Sequence, residues 1–352
     1  MGARPSRQAK VNAATVFHFE EATAGSRHRI AVAPPLYDLV PLRALRRATE
    51  GPLYRLRDLI VHPLILFIAI RHRRADLIIF RYFTTKMLLL AAVPLWPFRK
   101  KLLFMIQNNM QVAHVEPRER FYFKTLCRMG FQLGFLEAAH GLVELGVEMS
   151  KRQFVSLPMP IYPKRTSPAR TRTDGRPSIG VIGRELPEKN TDGLMSLLTG
   201  FRDRGELGAE IVLGSNDVQV LETWAARGVT TVRTLDYQDY LRAMAEVDVL
   251  LIHYERRHYY YRSSGVIHDA ACLGTAVVCP DFPVFRHQVT DPVRIGALFG
   301  SVEEMLPALR EALEIARSGP GPFETWARAR RPEMFSRRID AFIMEAHGES
   351  PA

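Results

Sequence analysis

Two short segments carry the residue types needed to hold a phosphorylated ligand. Gly183-Arg184-Glu185-Leu186-Pro187-Glu188-Lys189-Asn190 follows a short β-branched run and precedes a helical pattern. Gly183 lets the chain turn sharply, and Arg184 and Lys189 place two cations beside the start of the next helix, where unpaired backbone N–H groups already favour an anion. A diphosphate is the natural guest, although the segment taken alone also reads as a surface loop with incidental charges. The second segment is Tyr259-Tyr260-Tyr261-Arg262-Ser263-Ser264-Gly265-Val266-Ile267-His268-Asp269-Ala270. Ser264 and Gly265 open a helix whose free N–H groups can meet phosphate, and Asp269 follows one turn later, able to accept hydrogen bonds from ribose hydroxyls. By itself Ser-Ser-Gly is only a helix cap. Its place at a strand end, opposite the Arg184 to Lys189 loop, favours a nucleotide diphosphate site.

Such segments need a scaffold of parallel strands, and the second half of the chain supplies the pattern. Strands are expected at Ser178 to Ile182, Glu210 to Leu213, Val229 to Leu235, Asp248 to His253 and Ala276 to Cys279. Helices are expected between and after them at Asp192 to Arg202, Asp217 to Arg227, Tyr237 to Glu246, Gly265 to Leu273 and Val302 to Ala316. This alternation implies a Rossmann-like domain of five parallel strands with its ligand at their carboxyl ends. The first half is less regular. It offers strands at Val11 to Phe19, Ala75 to Phe80 and Leu102 to Ile106, with helices at Thr84 to Leu95 and Arg118 to Phe135, and is compatible with a second α/β domain. A proline-rich stretch that includes Pro163, Pro168 and Pro177 cannot hold a regular helix. The expected organisation is therefore a domain over 1–160, a linker over 161–177, a second domain over 178–320, and an arginine-rich helical segment over 321–352 packing back toward the first domain.

The second half resembles the bacterial group of retaining GT-B glycosyltransferases, with two Rossmann-like domains facing across a cleft. The resemblance covers about Ser178 to Leu313 and rests on the Gly-Arg…Lys loop, the strand Asp248-Val249-Leu250-Leu251, the turn Tyr261-Arg262-Ser263-Ser264-Gly265, and Asp269-Ala-Ala-Cys-Leu-Gly-Thr-Ala-Val-Val278 leading to Pro280-Asp281. It implies that Arg184 and Lys189 hold the donor diphosphate beside Gly183, that Ser264 and Gly265 meet the phosphates, and that Asp269 binds ribose. It also implies transfer with retention, no metal and no cofactor beyond the nucleotide-sugar donor. The family often has two glutamates separated by seven residues, and Tyr261 and Asp269 stand at those positions here. Asp269 keeps the second carboxylate, whereas Tyr261 cannot replace the first. In the first half, Phe104-Met-Ile-Gln-Asn-Asn109 followed by His114, Glu116 and Arg118 is similar to a His-Asn…His-Glu segment of related bacterial enzymes, which makes His114 a candidate for contact with the donor sugar. Glu20 and Glu21 are candidates for acceptor binding, with helix capping the alternative.

Composition limits the remaining choices. The chain has 352 residues, 47% hydrophobic and 24% charged, enough for two ordinary globular domains. Cys127, Cys272 and Cys279 include no closely spaced pair, so a reducing, cytoplasmic compartment fits. The N-terminus lacks a continuous apolar segment of the kind a cleaved signal peptide needs. The formal charge is +11, and residues 1–110 hold 18 Lys/Arg against 6 Asp/Glu, so the excess lies in the first third. Arg43, Arg46, Arg47, Arg55, Arg57, Arg71, Arg73 and Arg74 flank the apolar run Leu59 to Ile70, which His62 and Pro63 interrupt and which is too short to span a bilayer. That pattern suits a helix in the headgroup layer of an anionic membrane, on the inner face of the cell membrane, or a buried helix with a solvated arginine face. Nucleic acid is not expected, because the basic stretch lacks interleaved aromatics in a recognisable binding motif. No histidines show metal-ligand spacing. The reading is a transferase with a nucleotide-sugar donor in the second domain and a glycan or lipid-linked acceptor in the first. A nucleotide-sugar epimerase and a non-catalytic partner subunit remain as rivals.

Overall fold

A computed structural model describes residues 19–34, 36, 51–81, 83, 85–106, 109–137, 141–148, 150, 152–160, 175–183 and 190–348. Arg184 and Lys189, and residues 11–18 of the strand expected at Val11 to Phe19, lie outside these. The chain divides into two compact units, Met1–Tyr162 with Arg330–Ala352, and Pro163–Ala329.

Unit 1 is built on a parallel sheet in the order β1 (Ile30–Val32), β2 (Leu77–Phe80), β3 (Leu102–Ile106), β4 (Gln132–Leu136) and β5 (Phe154–Leu157). The chain from β1 to β2 holds α1 (Gly51–Arg71), and that from β2 to β3 holds α2 (Thr85–Leu95). Between β3 and β4 lie α3 (Asn109–Val115) and α4 (Pro117–Arg128), and α5 (Gly141–Glu144) follows β4. Strands β2 and β3 are buried throughout, as parallel strands covered on both faces must be. Their alternate residues go to different layers. Leu77, Ile79, Leu103 and Met105 join one core with Phe19 and with Phe335, Ile339, Phe342 and Ile343 of the last helix, α14 (Pro332–His347). Those four positions of α14 recur at intervals of four, three and one, which puts them on one face. On the opposite face Phe104 stacks on Phe80 at 5.2 Å and meets Phe131 edge-on at 6.0 Å.

A buried ion pair closes this unit. Glu137 follows β4 with φ 74°, a left-handed conformation rare for a residue with a side chain, and is fully buried. Arg330 Nη2 donates to Glu137 Oε2 at 2.9 Å and Met159 N donates to Glu137 Oε1 at 3.0 Å. The Glu137 N–H in turn bonds Leu157 O at 2.8 Å.

Several expectations for unit 1 are corrected. Phe19, the last residue of the strand expected at Val11 to Phe19, is helical, as are residues 20–23. The helix expected at Arg118 to Phe135 stops at Arg128, because Gly130 takes φ 79° and the chain re-enters the sheet as β4. The apolar run Leu59 to Ile70 lies within α1, which contains Pro63 and buries Val61, Ile65, Ile68 and Ala69 in the unit.

Unit 2 has six parallel strands, one more than the sequence suggested. They are β6 (Ser178–Ile182), β7 (Glu210–Ser215), β8 (Thr230–Arg233), β9 (Val249–Leu251), β10 (Ala276–Pro280) and β11 (Gly296–Phe299), in the order β11-β10-β9-β6-β7-β8. Its helices are α6 (Thr191–Asp203), α7 (Val218–Ala225), α8 (Tyr237–Ala245), α9 (Arg256–Tyr259), α10 (Gly265–Cys272), α11 (Pro283–Thr290), α12 (Met305–Arg317) and α13 (Gly321–Arg328). The helical segment expected over 321–352 thus holds two helices, parted just before Pro332. At Gly296 a Cβ would lie 2.0 Å from Val277 O, so only glycine lets β11 approach β10. Asp248 Oδ2 accepts from Ser178 N at 2.8 Å and Ser178 Oγ at 2.9 Å, which fixes the starts of β6 and β9 against each other. Among the described residues no helix is long and apolar enough to cross a membrane.

Glu137→Gln should leave the Arg330 charge buried without its counter-charge and destabilise unit 1 by about 3–5 kcal/mol. The double variant Glu137→Gln with Arg330→Met should recover most of that loss, as read from urea unfolding midpoints.

Candidate nucleotide-diphosphate site

The strand order of unit 2 reverses between β6 and β9, since the chain after β6 goes outward through β7 and β8 and then returns to the other side at β9. Crossover connections diverge at such a point and leave a crevice at the carboxyl ends of the strands. A pocket opens there with about 390 Å³ of empty space including its mouth. Its floor is Val181, Ile182 and Gly183 at the end of β6, Gly214 of β7, and Leu251 to Tyr254 at the end of β9. Thr191 and Leu194 of α6 and Val266 of α10 form its walls. Two helix starts therefore border one pocket, and both bring N–H groups of their first turns to it.

Each helix start has a local cause. Gly183 has φ 153°, which L side chains rarely adopt, and its N–H bonds Gly214 O at 2.9 Å. Asn190 then sits at φ 46°, ψ 50° as the N-cap of α6 and makes no side-chain capping hydrogen bond. At α10 the N-cap is Ser264, also without a side-chain cap to its own helix. A buried amide fixes it instead. Gln288 Oε1 accepts from Ser264 N at 2.9 Å, and Gln288 Nε2 donates to Ser264 O at 3.1 Å. His268 Nδ1 lies 3.0 Å from Ser264 O, and Trp326 Nε1 donates to Gln288 O at 2.6 Å. The Ser264 hydroxyl meets the Tyr254 phenol, whose proton burial holds well above the ordinary tyrosine range.

These contacts refine the roles expected from the sequence. Gly183 lines the pocket, and Ser264 and Gly265 immediately precede Val266, which also lines it. The Ser264 side chain is buried and its N–H is committed to Gln288, so the helix offers the N–H groups from Gly265 onward. Asp269 lies one turn further along α10, where its Oδ1 accepts from Tyr237 OH at 2.9 Å. His114 belongs to unit 1, in the last turn of α3, where Arg120 Nη2 donates to its carbonyl oxygen at 2.5 Å. Among the described residues no group of three or more His, Cys, Asp or Glu is placed to hold a metal ion.

Sequence reasoning missed His253 and Tyr254 in the pocket floor, His268 on the buried side of α10, and Gln288 and Trp326 packed behind that helix. The change from Val-Leu-Leu-Ile to His-Tyr at the end of β9 was a visible signal for the first pair. Gln288 had none, since a lone glutamine in a helical pattern reads as surface.

No family model matches the chain, and neither does any curated protein. Solved structures do. Sucrose-phosphate synthase from Thermosynechococcus elongatus is 15% identical with a TM-score of 0.61, covering 96% of this chain and 94% of that one. The alpha,alpha-trehalose 6-phosphate synthase from Burkholderia multivorans is 14% identical with a TM-score of 0.56, covering 96% and 84%. This chain has the GT-B fold. HepE of Anabaena, solved in complex with UDP and glucose, is a further GT-B likeness at 14% identity and a TM-score of 0.53, covering 84% and 83%. In GT-B terms unit 2 of this chain supplies the C-terminal of the two parallel sheets.

Gln288→Leu should strand the buried Ser264 N–H and C=O and destabilise unit 2 by roughly 1–3 kcal/mol. Urea unfolding followed by tryptophan fluorescence measures this, with Trp326 reporting locally.

Proposed function

We propose that this protein is a glycosyltransferase that moves a sugar from a nucleoside-diphosphate sugar to a glycan or lipid-linked acceptor in cell-surface polysaccharide or glycolipid synthesis. The observation that carries the reading is the pocket at the β6/β9 switch point, bordered by the starts of α6 and α10 within a GT-B fold. Two helix N-termini suit the two phosphates of a diphosphate. HepE, solved with UDP and glucose, supports the donor class.

Arg184 and Lys189 lie in sequence between Gly183 in the pocket floor and Thr191 in its α6 wall. In this reading they hold the diphosphate and stabilise the charge that develops on it as the glycosidic bond breaks. Asp269 would take the ribose hydroxyls, exchanging its bond from Tyr237 for one from the ligand. The finer parts of the proposal are retention of configuration, no requirement for metal, an acceptor in unit 1, and contact of His114 with the donor sugar. Membrane association at the inner face of the cell membrane belongs to it as well.

One observation favours a second reading, a GT-B-shaped subunit that binds nucleotide without turnover. Tyr261 stands where related enzymes have their first glutamate, and its side chain is buried. Transfer assays with a panel of nucleotide sugars and membrane extract discriminate the two. Incorporation of labelled sugar supports the transferase, and donor binding without incorporation supports the subunit.

Calorimetry with UDP, GDP, ADP and TDP should detect binding of at least one, and no affinity for any would overturn the site. Arg184→Ala and Lys189→Ala should each lower turnover by about 10²-fold or more with the circular dichroism spectrum unchanged. Near-normal rates in both would remove them from the mechanism.

A further inference from the structure

Unit 1 carries an exposed apolar surface unrelated to the pocket of unit 2. Its strands step in one direction, β1 to β5, and right-handed crossovers then place α1, α2 and α4 on one face of the sheet. These helices pack side by side, α1 on α2 and α2 on α4. Their inner sides are the buried ones, Ile65, Ile68 and Ala69 of α1 and Leu88, Ala91, Ala92 and Leu95 of α2. The outer sides are apolar too. Phe67 and Ile70 on α1, Leu90 and Val93 on α2, Trp96 just after it and Phe121 on α4 are all exposed, Leu90 by 64% and Val93 by 77%. The pairs spaced by three residues align along each helix, so the outer faces of neighbouring helices form one surface.

Cations gather at one end of this surface, where α1 and α2 finish. Arg71, Arg73 and Arg74 end α1, and Arg99, Lys100 and Lys101 follow α2. The two clusters are joined, because Lys101 Nζ donates to Arg73 O and to Ala75 O, each at 3.3 Å. Arg99 stacks on the Trp96 ring at 3.9 Å from its centroid and donates to Trp96 O at 3.0 Å. The nearest acid in the first cluster, Asp76, is engaged by Arg29, through its backbone N–H at 2.9 Å and its guanidinium at 3.5 Å.

We infer that the outer face of α1, α2 and α4 docks on an anionic lipid bilayer, with its aromatic and aliphatic side chains in the headgroup layer and the arginine and lysine clusters on lipid phosphates. Charge selects this occupant. A second copy of the chain would offer this face the same apolar side chains and further cations, whereas anionic lipid complements both the clusters and the apolar surface beside them. The whole helical layer lies on the membrane while its inner side stays in the unit 1 core, so no helix has to leave the fold. The inference rests on the proposed lipid-linked acceptor only for its purpose, and its test is independent of that reading.

The experiment is flotation of the full-length protein with vesicles of phosphatidylcholine, pure or containing about one-third phosphatidylglycerol. The protein should float with the anionic vesicles only, and less as salt rises. Leu90→Glu with Val93→Glu, and separately Arg74→Glu with Lys100→Glu, should each lower the partition constant at least about tenfold. Nucleotide affinity, measured without vesicles, should be unchanged in both, so a failed donor site and a failed docking face give different results. Absence of flotation, equal flotation on neutral vesicles, or wild-type flotation by both variants would overturn the inference. So would a native dimer that Leu90→Glu with Val93→Glu turns into monomer.

Discussion

A parallel sheet has both faces committed to helices, so a ligand can reach its backbone only along the carboxyl edge, where strands hand over to helices. In unit 2 that constraint is tightened by the strand order. The starts of β6 and β9 are tied by the Asp248 carboxylate and the Ser178 hydroxyl, which sets two strands distant in sequence side by side. Once they are neighbours, α6 and α10 must begin on either side of the same crevice. The pocket needs no dedicated scaffold beyond this. Gly183 and Gly214 keep its floor free of bulk, and the Gln288 amide fixes the backbone at the mouth of α10 so that the first-turn N–H groups are set before any ligand arrives.

Unit 1 solves a different problem, that of a chain that leaves and returns. Met159 stands shortly before the unit's first segment ends, and Arg330 opens its second. Both bond the carboxylate of Glu137, in a site where neither charge touches water. Removing two charges from solvent costs several kcal/mol per ion, so the net gain in stability is small. What the pair supplies is position, because only one arrangement of the exit strand and the returning helix satisfies both charges. The left-handed φ of Glu137 turns its carboxylate into that arrangement, and the apolar face of α14 then completes the core against Phe19 and the sheet.

The sequence was most legible where strands were short, β-branched and closed by glycine or a polar residue, as at Ser178 to Ile182 and Glu210 to Leu213. It was least legible where strand character comes from partners. Gly296-Ala-Leu-Phe has one aromatic and no β-branched residue, and becomes β11 because Gly296 lets it lie against Val277. Helix ends were misread where a single residue overrode a longer pattern, Gly130 breaking the helix before β4 and Pro332 parting α13 from α14. Pro63 shows the reverse, a breaker tolerated because Val61, Ile65 and Ile68 around it are buried. Within the site, the glycine and the helix starts at the pocket could be read from residue type and spacing. The second layer could not, since Gln288, His268 and Trp326 come from three separate helices and meet only in space.

Tyr261, at the position where the family resembled in sequence often has a glutamate, also takes its surroundings from residues that meet only in space. Tyr261 packs edge-on against Tyr260 at 4.8 Å, Tyr260 leans on Phe282 at 5.6 Å, and Phe282 on Phe285 at 5.4 Å. Tyr254 in the pocket floor stacks on Tyr259 at 3.8 Å and tilts against the same Phe285 at 5.8 Å. The connection from β9 to α10 is therefore one aromatic cluster that also floors the pocket. Two cations of this connection are engaged by its rings, Arg256 over Tyr260 at 4.3 Å and Arg262 over Tyr259 at 4.8 Å. The tyrosine is thus one part of a connection built from rings and the guanidinium groups that lie over them.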